Sequence, residues 1–387
     1  MWYNHIIMTS EEYMNLALNL ARRGQGYVEP NPMVGAVIVN HGTILGQGWH
    51  KKYGGPHAEI EAFSNARELN HDVRGAEMYV SLEPCCHFGK TPPCAQAIIK
   101  AGIKKVYIAL RDPNPKVDGG GVKALQAAGI EVESGVCESA ARNLNAPFIK
   151  FITRRRPWVI AKWAMTLDGR IAAQDGSSRW ISNAAAREIT HKIRSRSDAV
   201  IVGAGTFLAD NPSLNARLPE GQIPPRLARR IVFDLRGAMP PECNLLKNVE
   251  KIPAPNQDNN YRTWIISSPE KESGIQSDSL DVIHFDGRSV AERFINLLDY
   301  SGGQGATNVL VEGGGNLLGA LFDAQLIDEI HAFIAPQLCG GVAARSPLAG
   351  KGVESMLEAR RIINPEIELL GDNIYVHGAL CNNASER

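Results

Sequence analysis

The feature that most constrains this chain is a set of three metal donors spread between Pro56 and Cys94. Pro56-His57-Ala58-Glu59 opens the stretch, and Ser81-Leu82-Glu83-Pro84-Cys85, an eight-residue insert (Cys86 to Pro93) and Cys94 close it. One imidazole and two thiolates leave a tetrahedral zinc ion one position short, the mark of a catalytic rather than a structural site. Residues at i and i+2 of a regular helix face nearly opposite sides, so His57 and Glu59 can face one ion only if His57 stands at a helix entry and Glu59 in the first turn. Pro56 suits that entry, since proline is tolerated where a helix begins. Cys94 follows Pro92-Pro93 and leads into Ala95 to Ala101, which predicts a second helix N-terminus at its sulfur, where the dipole favours thiolate.

This donor set implies water in the open position. Zinc lowers that water's pKa toward neutrality, and Glu59 stands where it can move the proton, the apparatus of hydrolytic deamination. Two buried thiols and a surface imidazole are the alternative reading. His-x-Glu and Pro-Cys, each before a helix and in the right order, outweigh it. The cysteines are separated by eight intervening residues instead of the usual two, and Cys86 is a rival ligand. Cys85, directly after the proline, is preferred, with one Zn2+ per chain.

Composition narrows the partner class. Forty-one basic and forty-one acidic residues leave no formal net charge, so the basic excess of a nucleic-acid binder is missing and small-molecule chemistry is favoured. Seven cysteines, odd in number and irregularly spaced, argue against a secreted disulfide framework and for a reducing cytosol. No run approaches a membrane span, and Met1 to Met8 lacks the charged and apolar regions of a signal peptide. Met8 is a second plausible start, because Thr9 or Ser10 before Glu-Glu makes a good helix cap.

Length alone sets a soft expectation of two or three domains. A helix is predicted over Ser10 to Arg23, a hairpin over Val34 to Val39 and Thr43 to Trp49, and a helix over His57 to Glu68. Strands at Glu77 to Leu82 and Lys105 to Leu110 then alternate with helices at Pro93 to Ala101 and Gly121 to Ala128, before a short strand at Ile130 to Glu133. This order predicts a mixed sheet covered on both faces. Thr153 to Pro157, with its three arginines, reads as a solvated linker and boundary, giving domains over 1–152 and 153–387.

Beyond it the pattern restarts. Strands are expected at Trp158 to Ala164, Asp198 to Val202, Arg230 to Asp234, Arg262 to Ser267, Asp281 to Phe285 and Asn308 to Glu312. Helices are expected at Asn183 to Arg196, Val290 to Leu298 and Leu317 to Ala324, and an exposed loop at 248–260. The strand Val309 to Glu312 runs into Gly313-Gly314-Gly315-Asn316 and then a helix, and Val202-Gly203-Ala204-Gly205-Thr206 is a similar junction. Each glycine run is either a tight turn or a cradle where backbone approaches a nucleotide phosphate; two such junctions suit a dinucleotide.

Taken together, PNPMVGAVIV, GWHKKYGGPHAE, SLEPCCHFGKTPPC, DPNPKVDGGG, KWAMTLDGRIA, SSRWIS, DNPSLNAR and VEGGGNLLGALF resemble the bifunctional riboflavin-biosynthesis deaminase/reductase family, in both domains and in the expected order. The resemblance implies an α/β protein: an N-terminal cytidine-deaminase-like three-layer α/β/α domain and a C-terminal dihydrofolate-reductase-like α/β domain. It implies deamination of 2,5-diamino-6-(5-phosphoribosylamino)pyrimidinone, then NADPH-dependent reduction of the ribosyl side chain to ribityl. A cytoplasmic enzyme acting on small phosphoribosylaminopyrimidines is expected, with no nucleic acid or membrane partner, and a homo-oligomer is the family expectation.

Carried over by motif, His57, Cys85 and Cys94 hold zinc and Glu59 shuttles protons, while Asn31, His50, His87, Lys90 and Asn114 contact the deaminase substrate. In the reductase, Ser178, Arg194, Leu214, Arg217 and Glu312 are implied substrate contacts. Ala164, Trp180, Thr206, Asp210, Gly314, Gly315, Asn316, Leu317, Leu318, Gly319 and Ala320 are implied cofactor contacts. Without the family, the structural reading is favoured for both: Trp180 as plain core and Asn114, between two prolines, as a turn residue. Leu235 stands where some members have a polar cofactor contact and is left out. Lys162, Asp210 and Glu312 all remain open as the acid of the reduction. A nucleotide deaminase with an appended regulatory nucleotide-binding domain is the runner-up; a zinc-stabilised interaction protein would not need Glu59.

Overall fold

Ser10–Arg22 forms helix α1 because Thr9 and Glu12 close a capping box: Glu12 N–H donates to Thr9 Oγ1 at 3.2 Å and Thr9 N–H to Glu12 Oε2 at 2.6 Å. The structure, a computed structural model, describes residues 8–86, 92–114, 117, 119–240, 242–247, 263–268 and 280–381. Two compact units divide the chain, Met1–Arg154 and Arg155–Arg387.

In the first unit α1 is followed by β1 (Gly35–Asn40), β2 (Thr43–Trp49), α2 (Ala58–Glu68), β3 (Glu77–Val80), α3 (Cys94–Ala101), β4 (Lys105–Ile108), α4 (Gly120–Ala127), β5 (Glu131–Ser134), α5 (Glu138–Leu144) and α6 (Ala146–Arg154). The sheet order is β2-β1-β3-β4-β5, antiparallel at β1 and parallel from β3 to β5. Alternation sends Ile38, Met78, Val106 and Ile108 to a core shared with α2, α3 and α4. Val37, Val39, Tyr79 and Tyr107 face α1 and α5 on the other side. That is the three-layer arrangement expected from the sequence. Helices α5 and α6 were not anticipated; α6 buries Phe148 and Phe151.

The second unit contains β6 (Trp158–Thr166), α7 (Ala184–Arg196), β7 (Ala199–Gly203), α8 (Ala204–Asp210), β8 (Arg229–Phe233), α9 (Asn244–Lys247), β9 (Thr263–Ser267), β10 (Leu280–His284), α10 (Val290–Gly303), β11 (Asn308–Val311), α11 (Gly315–Asp323), β12 (Glu329–Ala335), β13 (Ile362–Leu370) and β14 (Asn373–Leu380). Its sheet runs β10-β9-β8-β7-β11-β6-β12-β14-β13. It is parallel from β10 to β12, and β14 and β13 add antiparallel pairings at one edge. Strands β7, β9 and β11 are buried along nearly their whole length, as strands covered on both faces must be. Phe294, Leu297, Leu318 and Leu321 cover one face, and Ile193, Phe207, Leu214 and Leu245 the other.

Three expectations change. The arginine triplet is exposed at Arg154 and Arg155, where the two units divide, but it is structured at both ends: Arg154 ends α6, and Arg156 donates to Asp299 Oδ2 at 2.8 Å. The Gly203 junction, left open as turn or cradle, leads into a helix that was not foreseen, α8, with Gly203 as its N-cap. Strands β12, β13 and β14 extend the sheet beyond what was foreseen. The loop at 248–260 lies outside the described residues.

Candidate active sites

His57 is the N-cap of α2, with extended backbone (φ −74°, ψ 164°), and Glu59 occupies the first turn, as the i, i+2 argument requires. Cys94 opens α3 after Pro93, and its main-chain N–H donates to Cys85 Sγ at 3.3 Å, so the helix N-terminus points at the second sulfur. His57 Nδ1 stands 3.6 Å from Cys85 Sγ and 3.3 Å from Cys94 Sγ. A tetrahedral zinc with bonds of about 2.0 Å to nitrogen and 2.3 Å to sulfur separates its ligands by about 3.5 Å, so the donor set fits. Cys86 turns away, its Sγ 4.0 Å from the Val117 carbonyl, leaving Cys85 in the cluster.

The two thiols share one proton, held by Cys94 rather than Cys85 contrary to the sequence expectation, so binding a metal ion must release it. Hydrogen bonds from Cys94 and His57 hold the Cys85 thiol down at about 4, while Cys94 is pushed up because its proton is shared with Cys85. Glu59 is buried, and its Oε2 has no hydrogen-bond partner among the described residues; burial raises its pKa, against the pull of the His57 charge. An unpartnered carboxylate oxygen beside an incomplete ligand set is the arrangement that a water-activating site needs.

Asn31 and His50 stand next to this cluster. His50 Nδ1 donates to the Pro56 carbonyl at 2.9 Å, so its Nε2, 3.3 Å from Asn31 Nδ2, is the acceptor, and the His50 ring lies 5.5 Å from that of His57. Burial lowers the His50 pKa. Asn114 closes a turn, its N–H donating to Asp112 Oδ1 at 2.9 Å and its carbonyl accepting from Val117. His87 and Lys90 lie outside the described residues.

Sequence reasoning missed Glu83, the buried carboxylate two residues before Cys85. It accepts from the N–H groups of Val122 (3.0 Å) and Asp112 (3.3 Å) and so ties the cysteine loop to α4. Gly121 is required there, since a Cβ would lie 2.0 Å from the Pro84 carbonyl. A glutamate inside the apolar Ser81-Leu82-Glu83-Pro84 was the available signal.

In the second unit a cavity of about 740 Å³ opens at the C-terminal ends of β6, β7, β8 and β11, the usual ligand position in a parallel sheet. Ala164, Ser178, Thr206, Asp210, Glu312, Gly314, Gly315, Asn316 and Leu317 line it. So do Lys162, one of the three candidate acids, Leu235, the position left out of the cofactor contacts, and Arg236 and Arg345, which the sequence did not single out. Gly203 caps α8 and Gly314 caps α11, so two helix N-termini meet the cavity. A Cβ on Gly314 would lie 2.9 Å from Thr206 Oγ1, so these residues form a cradle that a side chain would fill. The cavity's size and its two helix starts fit a dinucleotide with several phosphates.

Other expected contacts fall elsewhere. Leu318 belongs to the core and Gly319 faces the loop that crosses α11, where a Cβ would lie 1.2 Å from the Ala349 carbonyl; neither lines the cavity, nor does Ala320. Gly319 is therefore a packing glycine. Leu214, 2% exposed, is core with φ +54°, which leaves only its main chain for a ligand. Trp180 is 67% exposed under the Arg187 guanidinium (4.6 Å), which overturns the plain-core reading.

Arg194 and Glu312 are paired, not separately free. Arg194 Nη1 also donates to the Asn215 carbonyl at 3.1 Å. Burial alone would raise Glu312, but the Arg194 charge and hydrogen bonds, then Lys162, hold it at about 2. Lys162 is lowered chiefly by its own burial, with Glu312 and Asp210 opposing. Arg217 donates its main-chain N–H to His191 Nδ1 at 3.2 Å, and its side chain is exposed.

Comparison with known proteins covers both units. Residues 157–374 match the family model described as RibD C-terminal domain, and residues 8–110 match the cytidine and deoxycytidylate deaminase zinc-binding region. The chain is 38% identical to the riboflavin biosynthesis protein RibD of Actinobacillus pleuropneumoniae over 95% of each chain, and 39% identical to that of Bacillus amyloliquefaciens over 94% of each. A crystal structure of a diaminohydroxyphosphoribosylaminopyrimidine deaminase/5-amino-6-(5-phosphoribosylamino)uracil reductase from Thermotoga maritima superposes with a TM-score of 0.81 at 35% identity, covering 96% of this chain and 99% of that one.

Proposed function

This chain belongs to the RibD family of riboflavin biosynthesis proteins, and from that premise we infer how its own residues carry the family's two reactions. It is a bifunctional enzyme, a zinc-dependent deaminase and an NADPH-dependent reductase. The deaminase acts on 2,5-diamino-6-(5-phosphoribosylamino)pyrimidin-4-one, and the reductase converts 5-amino-6-(5-phosphoribosylamino)uracil to its ribitylamino product. The deaminase belongs to the unit Met1–Arg154 and the reductase to Arg155–Arg387.

His57, Cys85 and Cys94 would hold the zinc, which supplies Lewis-acid activation of water when bound. Glu59 takes a proton from the attacking water and returns it to the departing amine. Its buried Oε2, without a partner among the described residues, is the observation that carries this assignment. Asn31 and His50, hydrogen-bonded to one another beside His57, orient the pyrimidine.

In the reductase the Gly203 and Gly314 junctions with Thr206 would cradle NADPH, which supplies hydride when bound. Glu312, held as a carboxylate by Arg194, is in the wrong protonation state to be the acid. Lys162 lines the same cavity, and burial brings its pKa down from the usual lysine value, so it is the better donor. Ser178 and Arg217 would meet the substrate, Arg217 at its phosphate, where a planar guanidinium offers two parallel hydrogen bonds.

The partners are small phosphorylated pyrimidines in the cytoplasm. Zero formal net charge suits small-molecule partners, the seven irregularly spaced cysteines favour a reducing compartment, and no helix among the described residues is long and apolar enough to cross a membrane. A homo-oligomer follows from family membership alone and is checked by light scattering. The function itself is tested by mixing the protein with the diaminopyrimidine phosphate and NADPH. Ammonia release followed by loss of the reduced nicotinamide absorbance is expected; ammonia with no use of NADPH would leave a deaminase with a non-catalytic second unit.

A further inference from the structure

The residues that would recognise the substrate phosphate stand on a turn, and turns have to be held. Residues 214–217 leave α8 through Asn211 and Leu214, both at positive φ (41° and 54°), and return toward β8. Three attachments fasten this turn to positions 191, 193 and 194 of α7. Leu214 packs in the same core cluster as Ile193, the Asn215 carbonyl accepts from Arg194 Nη1 at 3.1 Å, and Arg217 N–H donates to His191 Nδ1 at 3.2 Å.

The third attachment has defined chemistry. A main-chain amide can only donate, so Nδ1 of His191 must be the unprotonated acceptor and any ring proton must sit on Nε2. The surroundings favour that state. His191 is half-buried and faces the guanidinium groups of Arg194 and Arg217 as well as Glu312 and the Asn215 carbonyl; burial first, then the two arginines, lower its pKa to about 4.

We propose that His191 is a positioning residue of the reductase: by accepting the Arg217 amide it sets the direction in which Arg217 leaves the turn, and so determines how strongly the enzyme prefers a phosphorylated ribosylaminopyrimidine. This rests on the reading of Arg217 as a phosphate-binding residue. His191 touches neither substrate nor cofactor in this role and acts through Arg217. Asparagine can place Oδ1 where Nδ1 stands and accept the same amide, whereas leucine fills the space without an acceptor.

The test is a double-mutant cycle on the full chain, with the deaminated phosphorylated intermediate and its dephosphorylated analogue as substrates. His191→Leu is expected to raise KM for the phosphorylated substrate about 5-fold, the worth of one net hydrogen bond, with kcat, KM for the dephosphorylated analogue and KM for NADPH little changed. His191→Asn should restore most of the loss. In an Arg217→Ala background His191→Leu should cost nothing further, because the residue it positions is gone. An unchanged KM in His191→Leu, failure of asparagine to rescue, or a full additional loss in the double variant would overturn the inference. If Arg217→Ala kept the wild-type preference for phosphate, the reading of Arg217 would fall, and the role of His191 with it.

Discussion

Arg194 and Glu312 meet as a two-pronged ion pair, Nε donating to Oε1 at 2.5 Å and Nη2 to Oε2 at 2.8 Å, with the two side chains only 13% and 11% exposed. The pair joins α7 to the end of β11 at the rim of the reductase cavity. Removing one partner would leave the other charge buried, so Glu312→Gln should destabilise the reductase unit by about 3 to 5 kcal/mol. The Glu312 carboxyl is depressed from its ordinary value of 4.5 to about 2, so its contribution is fully present above about pH 4.5 and is lost as the pH falls through about 2. Denaturant unfolding of wild type and variant should show a gap at pH 7 that narrows by pH 3. A gap of the same size at both would mean that the pair is not what holds this rim.

Glu59→Gln should retain zinc and lose ammonia release, because the carboxylate moves protons and is not a ligand. The amide can no longer accept a proton at the unpartnered Oε2 position, and a loss on the order of 100-fold or more is expected from removing a general base. The reductase rate on supplied intermediate should be unchanged. Metal analysis beside an ammonia assay decides it: zinc loss, or deamination at the wild-type rate, would take the role away from Glu59.

The two adjacent cysteines should separate cleanly. Cys85→Ser should lose metal, since Cys85 Sγ lies with His57 and Cys94. Cys86→Ser should keep it, since Cys86 Sγ packs toward the Val117 carbonyl at 4.0 Å. Zinc content of the two purified variants is the measurement, and the reverse pattern would exchange their roles.

Glycines of α11 should fail in different ways. Gly314→Val fills the cradle opposite Thr206 and should weaken NADPH binding in a folded protein with intact deamination. Gly319→Ala drives a methyl into the Ala349 carbonyl and should lower thermal stability before any effect on the cofactor is seen. Calorimetric titration with NADPH beside thermal unfolding distinguishes the two. Equal NADPH affinity in Gly314→Val and wild type would return that junction to a tight turn.

The deaminase site was legible because its chemistry is local: a ligand at a helix cap, a carboxylate two residues on, and a cysteine at a second helix start are all set by chain-neighbour geometry. The sheets were legible as far as buried parallel strands give unbroken apolar runs, as in β7 and β11. Strand β13 was not, because it lies at the sheet edge with Ile367 and Leu369 exposed and carries Pro365 within it, which reads as a break. Contacts set by tertiary packing were also hidden. Nothing around Gly319 announces the loop that crosses it, and no spacing rule brings Arg194 to Glu312, 118 positions away. Glu83 was missed because a buried carboxylate that braces main-chain amides leaves no periodic signature.

The central claim is that one chain holds two independent chemistries, of which only the first depends on zinc. Protein stripped of metal by a chelator should oxidise NADPH when given 5-amino-6-(5-phosphoribosylamino)uracil and should do nothing with the diaminopyrimidine precursor until zinc is restored. Then ammonia and NADP+ should appear in sequence. NADPH oxidation by the stripped protein on the diaminopyrimidine, or none on the uracil, would contradict the account.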